Sequence, residues 1–109
     1  MLEGLEKMLA KGVDNALLRF GLGKAYLDRE EPARAVEHLR RCVAFDPAYS
    51  AAWKLLGKAL LAQGDLEGAK AAWQQGLGAA QGHGDKQAER EISVFLKRLE
   101  RRQPGPRPD

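Results

Sequence analysis

Apolar positions recur along this chain at spacings of three and four, broken by short turn-like stretches, and the pattern predicts helices throughout. Leu2, Leu5, Met8 and Leu9 form an apolar stripe over 2–11, with Glu3, Glu6, Lys7 and Lys11 opposite. Gly12 ends this segment, and Asp14 or Asn15 can cap the next one. That next helix runs through about Arg29. Its Leu17, Leu18, Phe20, Leu22, Ala25, Tyr26 and Leu27 make it apolar nearly all round, so it is expected to lie between neighbours. Pro32 suits the first position of a third helix, where its missing N–H costs nothing. Ala35, Val36, Leu39, Cys42 and Val43 share one side of it, while Arg34, Glu37, Arg40 and Arg41 face solvent on the other.

Asp46-Pro47 is expected to close this hairpin and to cap a helix near 48–63. A Gly64-Asp65 turn leads to a helix near 66–80, and Gln81-Gly82-His83-Gly84 forms the next turn. The last helix, capped by Asp85, carries Ala88, Ile92, Phe95, Leu96 and Leu99 at helical spacing and has no partner helix behind it.

A repeat underlies this order. Leu22-Gly23-Lys24-Ala25-Tyr26-Leu27 returns 34 residues later as Leu56-Gly57-Lys58-Ala59-Leu60-Leu61. Overlaying 16–47 on 50–81 gives six identities, five in that block and a sixth pairing Ala35 with Ala69. Sparse identity at packing positions, with this period, points to stacked helical hairpins.

On these residues the chain resembles the tetratricopeptide repeat (TPR) family. Trp53-x-x-Leu56-Gly57-x-x-Leu60 and Ala69-x-x-x-Trp73 follow its pattern in the second unit, with Leu60 in place of the usual tyrosine. The first unit supplies Leu22-Gly23-x-x-Tyr26, Ala35-x-x-x-Leu39 and Asp46-Pro47. It departs at Arg19, where a bulky aromatic is common, and at Glu30, where glycine is common; the second unit departs at Gln81. The resemblance implies an all-α fold of about six helices, an antiparallel helix-hairpin solenoid with a concave groove. Repeats are expected at about 16–49 and 50–83, within a helical domain over 1–102, with capping helices at 2–11 and 85–102. Residues 103–109 form a Pro-rich tail with little to bury, for which disorder is expected.

Charge narrows the functional classes. The formal net charge is +3, but residues 97–109 hold five basic and two acidic residues, so the whole excess lies at that end. An electrically balanced body argues against nucleic acid as partner. No apolar run approaches the ~20 residues of a membrane span, and the acidic N-terminal residues do not read as a secretory signal. The lone Cys42 cannot form an internal disulfide, and the expected location is cytoplasmic.

The inventory for catalysis is thin, and no enzyme, cofactor or metal is expected. His38 is placed on the outward second helix and His83 in the glycine-rich turn, neither with ligands at metal-binding spacing. Cys42 reads as a buried, inert thiol rather than a nucleophile. The resemblance instead implies a groove for a protein or peptide, lined by first helices of successive units. Its candidate residues are Phe20, Lys24 and Leu27 from the first unit with Lys54, Lys58 and Leu61 from the second. Three lysines beside apolar side chains suit an acidic, partly apolar segment; the alternative is a solvated face. The implied function is a non-catalytic adaptor or co-chaperone-like module. Its competitor is a structural homo-oligomerisation module, a homodimer for example, that uses the apolar terminal helices.

Overall fold

Among the described residues four take a positive φ, and each follows the end of a helix: Gly12 (φ 96°), Glu30 (φ 59°), Gly64 (φ 82°) and Gly84 (φ 70°). The computed structural model describes residues 1–102, which form α1 (Leu2–Ala10), α2 (Ala16–Asp28), α3 (Pro32–Phe45), α4 (Ser50–Ala62), α5 (Leu66–His83) and α6 (Lys86–Arg102). The expectation for residues 103–109 lies outside the described residues.

Side-chain caps set three of the starts. Asn15 Oδ1 accepts from the Leu18 N–H at 2.8 Å, Asp65 Oδ1 from Gly68 at 2.8 Å, and Asp85 Oδ1 from Ala88 at 3.1 Å. Two expectations are corrected. Asp46 does not cap α4, whose N-cap is Tyr49; its carboxylate accepts from the Ala48 N–H and so shapes the turn before that helix. The turn after the second hairpin is also shorter than its glycines suggest. Gly82 and His83 remain helical, and Gly84 alone takes the left-handed conformation, with Asp85 following as cap.

Glu30 is the non-glycine residue with positive φ among those described. A Cβ in this region costs roughly 1–2 kcal/mol, partly offset by the greater freedom glycine would bring to the unfolded chain. Glu30→Gly is therefore expected to stabilise the protein by about 0.5–1 kcal/mol, read as a rise in the urea midpoint at constant slope. An unchanged or lower midpoint would show that the loop carries no such strain.

Each helix packs on its chain neighbour, and α2 also touches α4, as α4 does α6; α3 and α5 do not meet. The first helices of the hairpins thus crowd together while the second helices splay apart. The stack curves toward α2, α4 and α6, which form its inner face, and the molecule is elongated, 58 × 30 × 18 Å. Glycines permit the closest approaches. A Cβ on Gly23 would lie 2.5 Å from Leu39 Cγ, and one on Gly76 would lie 2.7 Å from Trp53 Cβ. The core threads the whole stack, from Leu2 through Leu22, Leu39, Leu56 and Trp73 to Ile92 and Leu99.

Candidate functional site

Phe20, Lys24 and Leu27 share one face of α2, and Lys54, Lys58 and Leu61 the equivalent face of α4, because residues three and four apart stack on a helix. Leu27 and Leu61 are half-buried and pack against the core. Phe20 stacks on Tyr49, with ring centroids 4.9 Å apart and planes 19° from parallel. The ring thereby fastens α2 to the start of α4, and only part of it faces the groove.

The three lysines meet different fates. The Lys24 side chain is 59% exposed and reaches Asp28, one turn on, at 3.5 Å. At this exposure the pair contributes little, about 0–1 kcal/mol. Lys54 is drawn inward, 24% exposed, and donates to Glu91 Oε1 on α6 at 2.8 Å. That bond, with the lysine charge, holds the Glu91 carboxyl below its ordinary range. Lys58 places its ammonium 5.1 Å from the centre of the Phe95 ring, also on α6, where the negative face of the π system attracts it.

The six candidates are consequently not one seat. Phe20 and Lys24 line a cleft of about 580 Å³ between α1 and α2, with Leu5, Leu17, Asp28 and Arg29. Lys58 and Leu61 line another of about 280 Å³, floored by Trp73, Phe95 and Leu99 and edged by Arg98 and Arg102. Lys54, tied to Glu91, belongs to neither cleft, nor does Leu27. The grouping of lysines leaves out the α6 contribution of Glu91, Phe95, Arg98 and Arg102. Its signal was present in their spacing of four, three and four, which puts them on one face of a helix.

A second polar cluster joins α1, α2 and α3, and it corrects the placement of His38. The imidazole is buried, stacked on Tyr26 with centroids 5.4 Å apart and planes 2° from parallel. Arg19 Nη1 lies 3.0 Å from His38 Nδ1; a guanidinium only donates, so this nitrogen accepts and the ring is neutral. Arg19 also makes two bonds to Asp14, at 2.7 and 2.9 Å, which lower the Asp14 carboxyl below its ordinary value. Tyr26 donates to Glu6 on α1 at 2.6 Å. The departure from the family's pattern at Arg19 thus has a use: it supplies the donor that a buried histidine needs.

Burial, then the nearby Arg19 charge, holds His38 below its ordinary value of 6.5, despite the opposing fields of Glu6 and Glu37. The unfolded chain then binds the proton more readily than the folded one. This contribution to stability is complete above about pH 6.5 and is lost as the pH falls below it. The urea midpoint of the wild type is expected to fall between about pH 7.5 and about pH 5.5. In His38→Gln, which keeps an acceptor but does not titrate, the fall should be smaller. Equal slopes in the two proteins would place the sensitivity elsewhere.

Cys42 is buried and its Sγ donates to the Ala16 carbonyl at 3.2 Å. Burial, with Asp46 adding to it, pushes the thiol up to about 11, so it stays protonated at neutral pH. No helix among the described residues is long and apolar enough to cross a membrane. Among the same residues, no group of three His, Cys, Asp or Glu could hold a metal ion.

Stacked hairpins with a curved, partly apolar inner face define a helical-repeat interaction scaffold. The chain belongs to the tetratricopeptide repeat family, whose model matches residues 26–88. The TPR repeat-containing protein PA0015 of Pseudomonas aeruginosa is 70% identical over 101 residues, which are 93% of this chain and 96% of that one. The solution structure of protein BPP2914 from Bordetella parapertussis superposes with a TM-score of 0.81 at 55% identity, covering 93% of this chain and 88% of that one. The Sgt2 TPR domain from Aspergillus fumigatus gives 0.72 at 25% identity, covering 99% and 74%. Repeats of this family generally serve as protein–protein interaction modules and are typically non-catalytic.

Proposed function

We propose that the inner face of α2, α4 and α6 binds a segment of a partner protein, in an adaptor or co-chaperone-like role without catalysis. The observation that carries this reading is the pair of apolar clefts on that face. One exposes Leu17, whose surface is 73% accessible, and the other is edged by Lys58, Arg98 and Arg102. Large apolar side chains held open beside exposed cations suit a partner that is partly apolar and acidic. A reducing, cytoplasmic setting fits the lone Cys42, which is held as a thiol. Self-association through the terminal helices has less surface available. Ile92 and Leu99 are buried, Phe95 and Leu96 pack on the core, and Met8 is the half-exposed residue of the α1 stripe.

Selection of peptides from a random display library on the folded protein tests this reading. Enriched peptides are expected to lose at least about tenfold in affinity on Leu17→Arg or Lys58→Glu, both at exposed positions where folding is preserved. A library yielding no enriched peptide, or peptides indifferent to both changes, would overturn it. Light scattering over a concentration series reads the competing outcome, a homodimer.

A further inference from the structure

The positive charge of the inner face is unevenly spent. In the cleft between α1 and α2, Asp28 stands beside Lys24 and Arg29. Midway along the face, Glu91 neutralises Lys54. The cleft between α4, α5 and α6 differs, for its lining holds Lys58, Arg98 and Arg102 and no acid. Arg98 and Arg102 are exposed and have no ion-pair partner among the described residues. Beneath these cations the floor is apolar: Leu61, the Phe95 ring, Leu99 and the edge of the Trp73 indole. At about 280 Å³ the cleft is at the small end of ligand pockets, with room for one large side chain rather than a whole ligand.

We infer that this cleft is an anchor seat for an internal acidic–apolar peptide motif, with one bulky apolar side chain in the cleft and acidic residues two positions to either side. The inference rests on reading the inner face as a partner-binding surface, and it names the chemistry of the partner. Side-chain alternation, with cations on both walls of the cleft, suggests the pattern. In an extended peptide, adjacent side chains point to opposite faces, whereas residues two apart share a face at roughly 6.6–6.8 Å. Arg98 and Arg102 are four residues apart on α6, about 6 Å along its axis, and Lys58 stands on the opposite wall. Charge spread over both walls and along one of them suits several carboxylates flanking the anchor, more than a single chain-terminal carboxylate.

The test uses the full chain and a peptide acetylated at its N-terminus and amidated at its C-terminus, of sequence Gly-Glu-Ser-Phe-Ser-Glu-Gly. The two tryptophans supply a site-resolved readout in ¹H–¹⁵N spectra. Trp73 Nε1–H, bonded to the Lys54 carbonyl, lies under the cleft, and Trp53 Nε1–H, bonded to the Pro47 carbonyl, lies outside it. The Trp73 indole signal is expected to move on titration while that of Trp53 stays. Affinity should fall about tenfold in Arg98→Gln/Arg102→Gln, with a shallower dependence on salt. It should also be lost when serine replaces the peptide's phenylalanine or lysines replace its glutamates.

No shift of Trp73 at millimolar peptide would overturn the inference. Equal affinity in the arginine variant would do the same, as would binding only to a version with a free C-terminal carboxylate. These failures remain distinct from failure of the broader reading. Library peptides that lack the motif but respond to Leu17→Arg would preserve a partner-binding face and move the anchor to the other cleft.

Discussion

Replacing Trp73 with alanine is expected to remove about 4 kcal/mol of stability, within the range for truncating a buried aromatic. The indole is 2% exposed and lies against Gly57 of α4 on one side. On the other it packs against Phe95 of α6, with ring centroids 5.3 Å apart. Its Nε1–H donates to the Lys54 carbonyl at 3.0 Å. Three helices therefore meet on one side chain, and alanine would leave a cavity among elements too rigid to collapse into it. A domain of this size holds roughly 5–15 kcal/mol in total, so the variant should be marginal at room temperature. Urea unfolding followed by circular dichroism measures the loss. Trp53→Ala supplies the contrast, because that ring is half-buried and lies outside the three-helix junction; less than half the effect is expected there. Equal losses at the two positions would refute the account.

Gly57→Ala is expected to destabilise by about 2 kcal/mol although alanine is the better helix former by about 1 kcal/mol. A Cβ at this position would fall inside the envelope of the Trp73 indole. The ring is large, planar and hemmed in by Phe95, so it cannot yield as the tip of a flexible side chain would. Overpacking of this kind costs typically 1–3 kcal/mol, and tilting the ring also strains its bond to Lys54. The control carries the opposite sign. Gly78 in α5 has nothing within 4 Å of a would-be Cβ, so Gly78→Ala should stabilise by about 0.5–1 kcal/mol. The same chemical change in two helices of one protein thus separates propensity from packing. Stabilisation at both positions would show that α4 and α5 are not in the close contact described.

The two glycine predictions mirror what was legible in the sequence. Gly57 and Trp73 belong to the repeat pattern, and their juxtaposition follows from it. The departures from that pattern were visible too, at Arg19 and Glu30, but their consequences lie at different ranges. At Glu30 the consequence is local, a left-handed residue where glycine is usual, and backbone geometry needs no partner. At Arg19 the consequence lies on another helix. His38 sits at the boundary between the apolar side of α3 and its charged side, and its charged neighbours Arg34, Glu37 and Arg41 argued for solvent. It is buried because Arg19 and Tyr26 arrive from α2 to bond and cover it. Asp46 failed as a cap for a similar reason: its sequence position allowed a bond to α4, and the turn used the carboxylate first.

The candidate site divides along the same line. Lys24 and Lys58 stood out in the sequence as charges preserved within a packing block, and both lie on the inner face. Whether they are free did not follow from the repeat. Lys54 meets Glu91 and Lys58 meets Phe95 across 37 residues of chain, while Arg98 and Arg102, without an ion-pair partner among the described residues, come from the last helix. By itself the sequence determined the helices, their pairing into hairpins and the curved stack. Those depend on a periodicity of 3.6 within each helix and of 34 between them, both of which act between residues near in the chain. The tertiary structure alone decided which charges are spent and which are left to a partner. Coulomb attraction falls with distance through space, and side chains remote in sequence become neighbours only once the helices have packed.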